Sequence, residues 1–174
     1  MSKFYICNQK LIDEKIKDFV YLKTSDDGWS HFYKDINTNE EWVLTRYETE
    51  YHGGGCPILK KLPPPSVEEL IEIALTSDEI NDITGASIEL NEREKYNNDS
   101  FRDILINKLL LIDTNCISAF DIERLKTIIY ESELYDANNR REIVGKHYTE
   151  INKDAEFYKT ISVKAKAVLI AIKQ

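Results

Sequence analysis

The segment His52-Gly53-Gly54-Gly55-Cys56 contains the residue types of this chain that could carry out chemistry. A His-Gly-Gly-Gly run can supply the oxyanion hole of lipases and esterases, but those enzymes also need a serine nucleophile in a G-x-S-x-G turn. The nearest match to that turn, Gly85-Ala86-Ser87-Ile88-Glu89, has glutamate at its fifth position. The glycine amides could also bind phosphate, but no Lys-Ser or Lys-Thr pair follows them. A hydrolase or a small-molecule binder built on this loop stays an alternative, and we expect no catalytic residue.

His52 and Cys56 could also begin a zinc site or form a nucleophile pair. His31 and His147 are isolated in the sequence, and no second pair of zinc ligands exists. A papain-like pair needs a distant histidine whose position the sequence does not give. We therefore predict no metal, no cofactor and no enzymatic activity. Because three glycines in a row are costly to order, they indicate either a sharp turn with positive φ angles or a binding loop with exposed amides.

The residues before and after the glycines have the composition of β-strands. Aromatic and β-branched residues predict strands over 18–23, 29–34, 41–47 and 58–62. Turn-forming residues at 35–40 predict a hairpin between the second and third of these strands. Since side chains alternate along a strand, Trp29 and Tyr33 are expected on one aromatic face.

The proline triplet at 63–65 ends this pattern, and helical periodicity follows it. Ser66 with Glu69 forms a capping box, and Ser100 with Asp103 and Ser118 with Asp121 predict two further helix starts. We expect the helix over 101–112 to be central and buried nearly all round, a last helix over 154–172, and a helical stretch over 137–147. The predicted fold class is α+β: an N-terminal antiparallel sheet and a helical C-terminal segment of about four to five helices.

Three regions follow from these patterns: a β-rich region over 1–62, a connector over 63–65, and a helical region over 66–174, which could pack with the first as one domain. The excess negative charge lies in the first half, because residues 1–90 hold 17 acidic and 9 basic residues and residues 91–174 hold 14 of each. An acidic surface attracts basic partners and repels nucleic acid. We therefore predict a protein partner with a basic surface, and no binding to nucleic acid.

Cysteine usage and hydropathy indicate where the protein works. The three cysteines, Cys7, Cys56 and Cys116, are widely separated and odd in number, which favours a reducing compartment. The N-terminus has no signal-peptide pattern. No apolar run reaches the roughly 18 residues of a membrane span. These features predict a cytoplasmic protein that does not bind membranes.

An ordered set of residues surrounds the glycine triplet between Gly28 and Leu59. In chain order the set contains Trp29, Tyr33, Asp35, Trp42, Glu50, His52, the three glycines and Pro57. In residue type and spacing the stretch resembles the immunity protein 27 family of bacterial polymorphic toxin systems. The chain departs from the family pattern at Tyr47, Thr49 and Cys56, where the family has proline, serine and proline. The helical region extends well beyond the short family domain.

This resemblance implies a bacterial immunity protein, which neutralises a toxin made by the same or a sibling cell and needs no chemistry of its own. We predict that the chain binds a cognate toxin domain and blocks its active or substrate-binding surface, with basic nuclease toxins as one class of target. A protein-interaction adaptor without a toxin partner is the alternative.

Tryptophan, tyrosine and arginine are enriched among the residues that dominate binding energy. The predicted partner-binding residues are Trp29, Tyr33, Asp35, Trp42, Arg46, Tyr47, Glu50, Tyr51, His52, Gly53, Gly54 and Gly55. For Trp29 and Trp42 the sequence equally allows packing on the inner face of the sheet. For Glu50 and His52 it also allows a local hydrogen bond that stiffens the glycine turn.

Overall fold

A computed structural model describes residues 3–47 and 54–173 of the 174-residue chain. The chain divides into two compact units, Met1–Ile88 and Glu89–Gln174, which we call the sheet unit and the helical unit. The predicted α+β fold class is confirmed, because an antiparallel sheet lies in the N-terminal half and most of the helices follow it. The division between the units falls within one helix, Ile80–Asn97. A domain boundary at the proline connector, 63–65, stays a prediction.

The sheet unit is built on five strands and the helices around them. In chain order its elements are β1 (Tyr5–Ile6), α1 (Gln9–Lys15) with a 3-10 turn (Ile16–Asp18), β2 (Phe19–Thr24), β3 (His31–Asp35), β4 (Glu41–Tyr47), β5 (Cys56–Leu62), α2 (Val67–Thr76) and the first part of α3 (Ile80–Asn97). All neighbouring strands are antiparallel, in the order β1-β5-β4-β3-β2. The sequence patterns predicted β2 to β5 but missed β1 and α1.

Each face of the sheet buries side chains. On one face, Trp42 and Leu59 form a buried cluster with Ile12 of α1, to which Ile6 also belongs. On the opposite face Tyr5 is buried, and its ring lies so close to α3 that a Cβ placed on Gly85 would be 2.2 Å from the Tyr5 Cγ. Gly85 is therefore required by close packing of a helix on a strand, and any side chain there would displace an aromatic ring.

Side chains of α3 close the β1 edge of the sheet. The backbone amides of Lys3, Phe4 and Tyr5 each donate to the buried Asp82 carboxylate at 2.9 Å. The Cys7 amide donates to the Asn81 side-chain oxygen at 3.0 Å. Because strand amides at a sheet edge otherwise have no partner, these bonds satisfy groups that β5 does not reach.

The helical unit contains the rest of α3 and three further helices, α4 (Arg102–Leu110), α5 (Ala119–Glu131) and α6 (Tyr148–Ala171). Its apolar core is built mainly from these helices: Leu105, Ile106, Leu109, Leu125, Ile128, Ile129, Ile161, Ala165 and Val168 are buried. After the sheet the described chain thus has five α-helices, α2 to α6. The number agrees with the predicted four to five, but α3 was not predicted and the expected helix over 137–147 is absent.

Three predictions about these helices are wrong. Ser100 does not cap a helix, because α4 begins one residue later than expected and its N-cap is Phe101, which makes no side-chain capping bond. The same helix is not buried all round: it ends at Leu110, and its residues Ile104 and Leu110 are 46% and 45% exposed. The stretch 137–147 is not helical, because α6 starts at Tyr148 with His147 as its N-cap.

Ion pairs to the buried carboxylates Glu94 and Asp154 join separate elements of the helical unit. Arg102 is 1% exposed, and its Nε donates to the Glu94 carboxylate at 2.5 Å while its Nη1 donates to the Glu133 carbonyl at 2.8 Å. Arg141 and Lys146 donate to the two carboxylate oxygens of Asp154 at 2.6 and 2.7 Å. The Lys146 bond, followed by the Arg141 bond, lowers the pKa of Asp154 against the opposing effect of burial.

Candidate protein-binding surface

An aromatic ladder runs across one face of the sheet from the core to the edge. The register places Phe19 opposite Asp35, Tyr21 opposite Tyr33, and Tyr33 opposite Trp42, so these side chains share a face. The Phe19 ring centroid lies 5.9 Å from that of Trp42 and 6.5 Å from that of Tyr33. The Tyr21 and Tyr33 rings meet edge to face at 5.8 Å. Burial, and then the neighbouring Tyr21, raise the pKa of Tyr33.

The outer end of this ladder is open to solvent. Val20, Tyr21 and Leu22 of β2 are 51%, 54% and 44% exposed. Val20 lies opposite Lys34 and Tyr21 opposite Tyr33, so the exposed apolar groups occupy both faces of the strand. The sequence analysis did not include these three residues among the binding residues, although three successive apolar residues in a predicted strand were a readable sign of two apolar faces.

Trp29 is presented by a rigid turn between β2 and β3. The Ser25 amide donates to the Ser30 carbonyl at 2.8 Å, and the Gly28 amide donates to the Ser25 carbonyl at 2.9 Å, with Gly28 at a φ of 78°. The Asp27 carboxylate accepts from the Ser25 hydroxyl at 2.5 Å and from the Trp29 amide at 3.0 Å, and these two bonds lower the pKa of Asp27. The indole itself is 56% exposed. A large apolar side chain is thus held outward by a turn whose backbone is fixed.

Strand alternation does not place Trp29, because β3 begins two residues later, at His31. The predicted sharing of a face with Tyr33 was based on a strand starting at residue 29, and it does not hold for that reason. Tyr33 itself is half-buried within the ladder. His31 is joined to the same surface, since its Nδ1 lies 2.9 Å from the Thr24 hydroxyl, which lies 2.7 Å from the Tyr21 hydroxyl.

Trp42 and Asp35 are buried in the sheet unit and stabilise its fold. Trp42 is 3% exposed and belongs to the core cluster of the sheet. Asp35 is 2% exposed, accepts from Lys15 at 3.1 Å and from the Asn37 amide at 2.9 Å, and so fixes α1 and the β3–β4 turn. Burial raises the pKa of Asp35, but the hydrogen bonds from the Asn37 amide and Lys15 together lower it by more than burial raises it, so the net shift is downward. Buried side chains have little area to offer a partner, so the surface proposed below omits both.

Arg46 clamps the end of the glycine segment. Its Nη1 donates to the carbonyls of Gly54 and Gly55, each at 3.1 Å, and Gly55 has a φ of 64°. The predicted glycine turn therefore has a side-chain brace from β4. Tyr47, at the end of β4, lies opposite Cys56 and is half-buried. The remaining predicted residues, Glu50, Tyr51, His52 and Gly53, lie outside the described residues.

The structure shows where the serine of the G-x-S-x-G-like stretch lies and how the possible metal ligands are arranged. Ser87 is buried inside α3 and its hydroxyl donates to the Ile83 carbonyl at 2.8 Å, so it is not on a strand-to-helix turn. Within residues 3–47 and 54–173, no three His, Cys, Asp or Glu side chains are grouped so as to hold a metal ion. In the same part of the chain no helix is long and apolar enough to cross a membrane.

Comparison with known proteins gives one match. No curated protein and no solved structure matches the chain. A family model matches a segment of the chain that runs from α1 through β5. This segment includes the stretch Gly28 to Leu59, on which the resemblance was based. It is about a third of the chain and contains β2, the Trp29 turn and the brace at Arg46. The resemblance is confirmed over that segment: residues 7–63 match the Immunity protein 27 family.

Proposed function

We propose that this chain is an immunity protein that binds a bacterial toxin and covers the toxin's active or substrate-binding surface. The observation that carries the proposal is the family match over residues 7–63, the same segment that presents the exposed apolar side chains of β2 and the Trp29 turn. Neutralisation by binding needs preformed anchors and no reaction. Because the Trp29 turn is already ordered by its own hydrogen bonds, little conformational entropy is lost when it docks.

Charge supports a basic target. The sheet unit carries 16 acidic and 9 basic residues, whereas the helical unit carries 15 and 14. Attraction between opposite charges speeds association and weakens as salt rises. Toxins that act on nucleic acids need basic surfaces, so a nuclease toxin in the bacterial cytoplasm fits the sheet unit.

The experiment is to express the chain together with the toxin domain encoded by the neighbouring gene. We expect protection of the cells, a stable purified complex, and an association rate that falls as salt rises from about 0.05 to 0.5 M. Failure to bind any neighbouring toxin domain would contradict the proposal. A salt-independent rate would remove the charge-steering part alone.

A matched pair of variants tests the anchor. Trp29→Ser should weaken the complex at least about tenfold, because exposed tryptophans that become buried dominate binding energy. Tyr96→Ser is the control, since Tyr96 is a similarly exposed aromatic residue on α3 outside the matched segment. Equal loss of affinity in both variants would remove Trp29 from the docking surface.

A further inference from the structure

The two edge strands of the sheet differ in whether side chains bind their outward-facing backbone groups. At β1, Asp82 and Asn81 accept four backbone amides. At the other edge, among the described residues, β2 has a strand partner on one side only. An edge strand presents outward-facing amide and carbonyl groups, which template pairing with another chain. The fold therefore closes one edge with side chains and leaves the other available.

Strand β2 has few of the features that usually protect an edge strand from pairing with another chain. It is six residues long and contains no proline, and its one lysine, Lys23, lies back over the Phe32 ring of β3 with its Nζ 5.1 Å from the ring centroid. Four of its residues are exposed: the charged Lys23 and, before it, the successive residues Val20, Tyr21 and Leu22. Protected edges usually place charges or prolines along the strand, so this uncharged stretch of three residues is suited to pairing with another strand.

A β-bulge shapes this edge. The register with β3 shifts between Tyr21 and Lys23, which leaves Leu22 without an opposite residue on β3. Bulges re-aim side chains and are frequent beside functional sites. The regular segment, Phe19 to Tyr21, remains for strand pairing, and the chain then continues through Thr24 into the turn that carries Trp29. A partner strand that lies along β2 would thus pair with the backbone groups of β2 and contact the exposed Trp29 indole beyond the end of the strand.

We propose that the toxin docks as an additional antiparallel or parallel strand on β2, with Trp29 as an anchor beside it. This inference rests on the proposed function and names the surface and the kind of contact. The occupant is an extended toxin segment that combines apolar side chains with lysine or arginine. The exposed Asp18 precedes β2, and the exposed Asp26 and Asp27 follow it, so cationic side chains would find carboxylates at both ends.

A second copy of this chain fits the edge less well. Each copy would bring a sheet unit with 16 acidic and 9 basic residues against another of the same charge, and the carboxylates that flank β2 would face one another. A partner of opposite charge has no such repulsion. The proposal therefore commits to the toxin as the occupant.

Backbone hydrogen exchange in the purified complex tests strand pairing directly. Exchange of amides in β2 should slow at least about tenfold on binding the toxin, because added strand hydrogen bonds protect amides. The amides of Lys3, Phe4 and Tyr5 should change little, since Asp82 already binds them. A complex that forms and protects cells while exchange in β2 stays the same would overturn strand addition and leave the proposed function in place.

Side-chain variants provide the second readout. The double variant Val20→Ser with Leu22→Ser should raise the Kd for the toxin at least about tenfold. The control is Val163→Ser with Ile170→Ser on α6, whose side chains are 62% and 61% exposed, and it should leave the Kd within about twofold. Circular dichroism establishes that all variants fold. Equal effects of the two double variants would contradict the proposal, as would a free protein that dimerises with β2 already protected.

Discussion

Backbone amides are the main partners of the buried carboxylates in the sheet unit, and cationic side chains are those in the helical unit. In the sheet unit, Asp82 is 1% exposed and accepts three backbone amides, and the buried Asp35 accepts the Asn37 amide as well as Lys15. In the helical unit, Glu94 pairs with the guanidinium of Arg102, and Asp154 pairs with Arg141 and Lys146. A sheet edge has spare amides, whereas helix interiors bond their own backbone and leave none. A buried carboxylate between helices must therefore find cationic side chains.

The charges of the two units differ in the same direction. In the helical unit, arginine and lysine pair with buried carboxylates, and the acidic and basic residues nearly balance. In the sheet unit, Asp82 is satisfied by amides without a cation, and acidic residues are in excess. A fold that satisfies a buried carboxylate with backbone amides keeps its charged side chains available for binding a partner.

The largest effect should come from Arg102. Arg102→Met leaves the Glu94 carboxylate buried without its partner and should lower the free energy of unfolding of the helical unit by about 3–5 kcal/mol. Urea denaturation followed by circular dichroism measures it. Replacing Glu94 by Met as well should recover part of the loss. Lys159→Met is the control, since Lys159 pairs with Glu156 and both side chains are exposed, and it should cost about 1 kcal/mol or less. A loss no greater than the control's would break the comparison.

A smaller effect is expected at Asp82. Asp82→Ala leaves three strand amides without their acceptor and should lower the free energy of unfolding of the sheet unit by about 2–4 kcal/mol. Tryptophan fluorescence reports this unit, because both tryptophans belong to it and Trp42 lies in its core. Asp82→Asn should cost less, since its amide oxygen still accepts. Asp13→Ala, at an exposed position, should change stability by less than about 0.5 kcal/mol. Equal stability of the two Asp82 variants would mean that acceptance of amides is not the main role of this residue.

The Asp154 pair should depend on pH. Because its folded-state pKa lies below the ordinary value of 3.8, its contribution is complete above that value and is lost as the pH falls through the lower folded pKa. Asp154→Asn should cost about 2 kcal/mol near neutral pH. The difference between wild type and variant should shrink towards zero in acid. A difference that is constant from neutral pH to about pH 2 would show that charge is not what the two cations recognise.

Helix caps should give the smallest effect and the same one in both units. Ser66→Ala removes an acceptor for the Glu69 amide, and Ser118→Ala removes one for the Asp121 amide. Each should cost about 1 kcal/mol. Thermal unfolding of both variants measures it. A large inequality would mean that the units differ in more than the partners of their buried charges.

Local patterns predicted the elements whose signals are local. The Ser66 capping box is present, with the Glu69 carboxylate accepting from the Ser66 amide at 2.7 Å, and Ser118 caps α5 as expected. Helix α3 was missed because its short apolar stripe, Ile83, Ala86 and Leu90, is interrupted and followed by buried polar residues. These are Asp82, Ser87, Glu89, Asn91 and Glu94. Strand β1 has strand-favouring residues, Tyr5 and Ile6, but two residues are too few to show an alternating pattern.

The binding surface could be predicted only in part, because exposure depends on strand order. Trp29 and Trp42 each lie at or near the start of a predicted strand, yet one is exposed on a turn and the other lies in the core. Which strand lies at the edge follows from the pairing of β1 with β5, a contact between residues far apart in the chain. No local pattern encodes that pairing, so the open edge at β2 became visible only in the fold.

The bonds to Asp82 also constrain the order in which the protein can form. The amides of β1 leave the ribosome early, but the carboxylate that binds Tyr5 is 77 residues further along the chain. Synthesis proceeds at roughly 5–20 residues per second, so these amides wait for seconds before their acceptor exists. During that interval the nascent sheet has two open edges, and the carboxylate of one residue later reduces them to one.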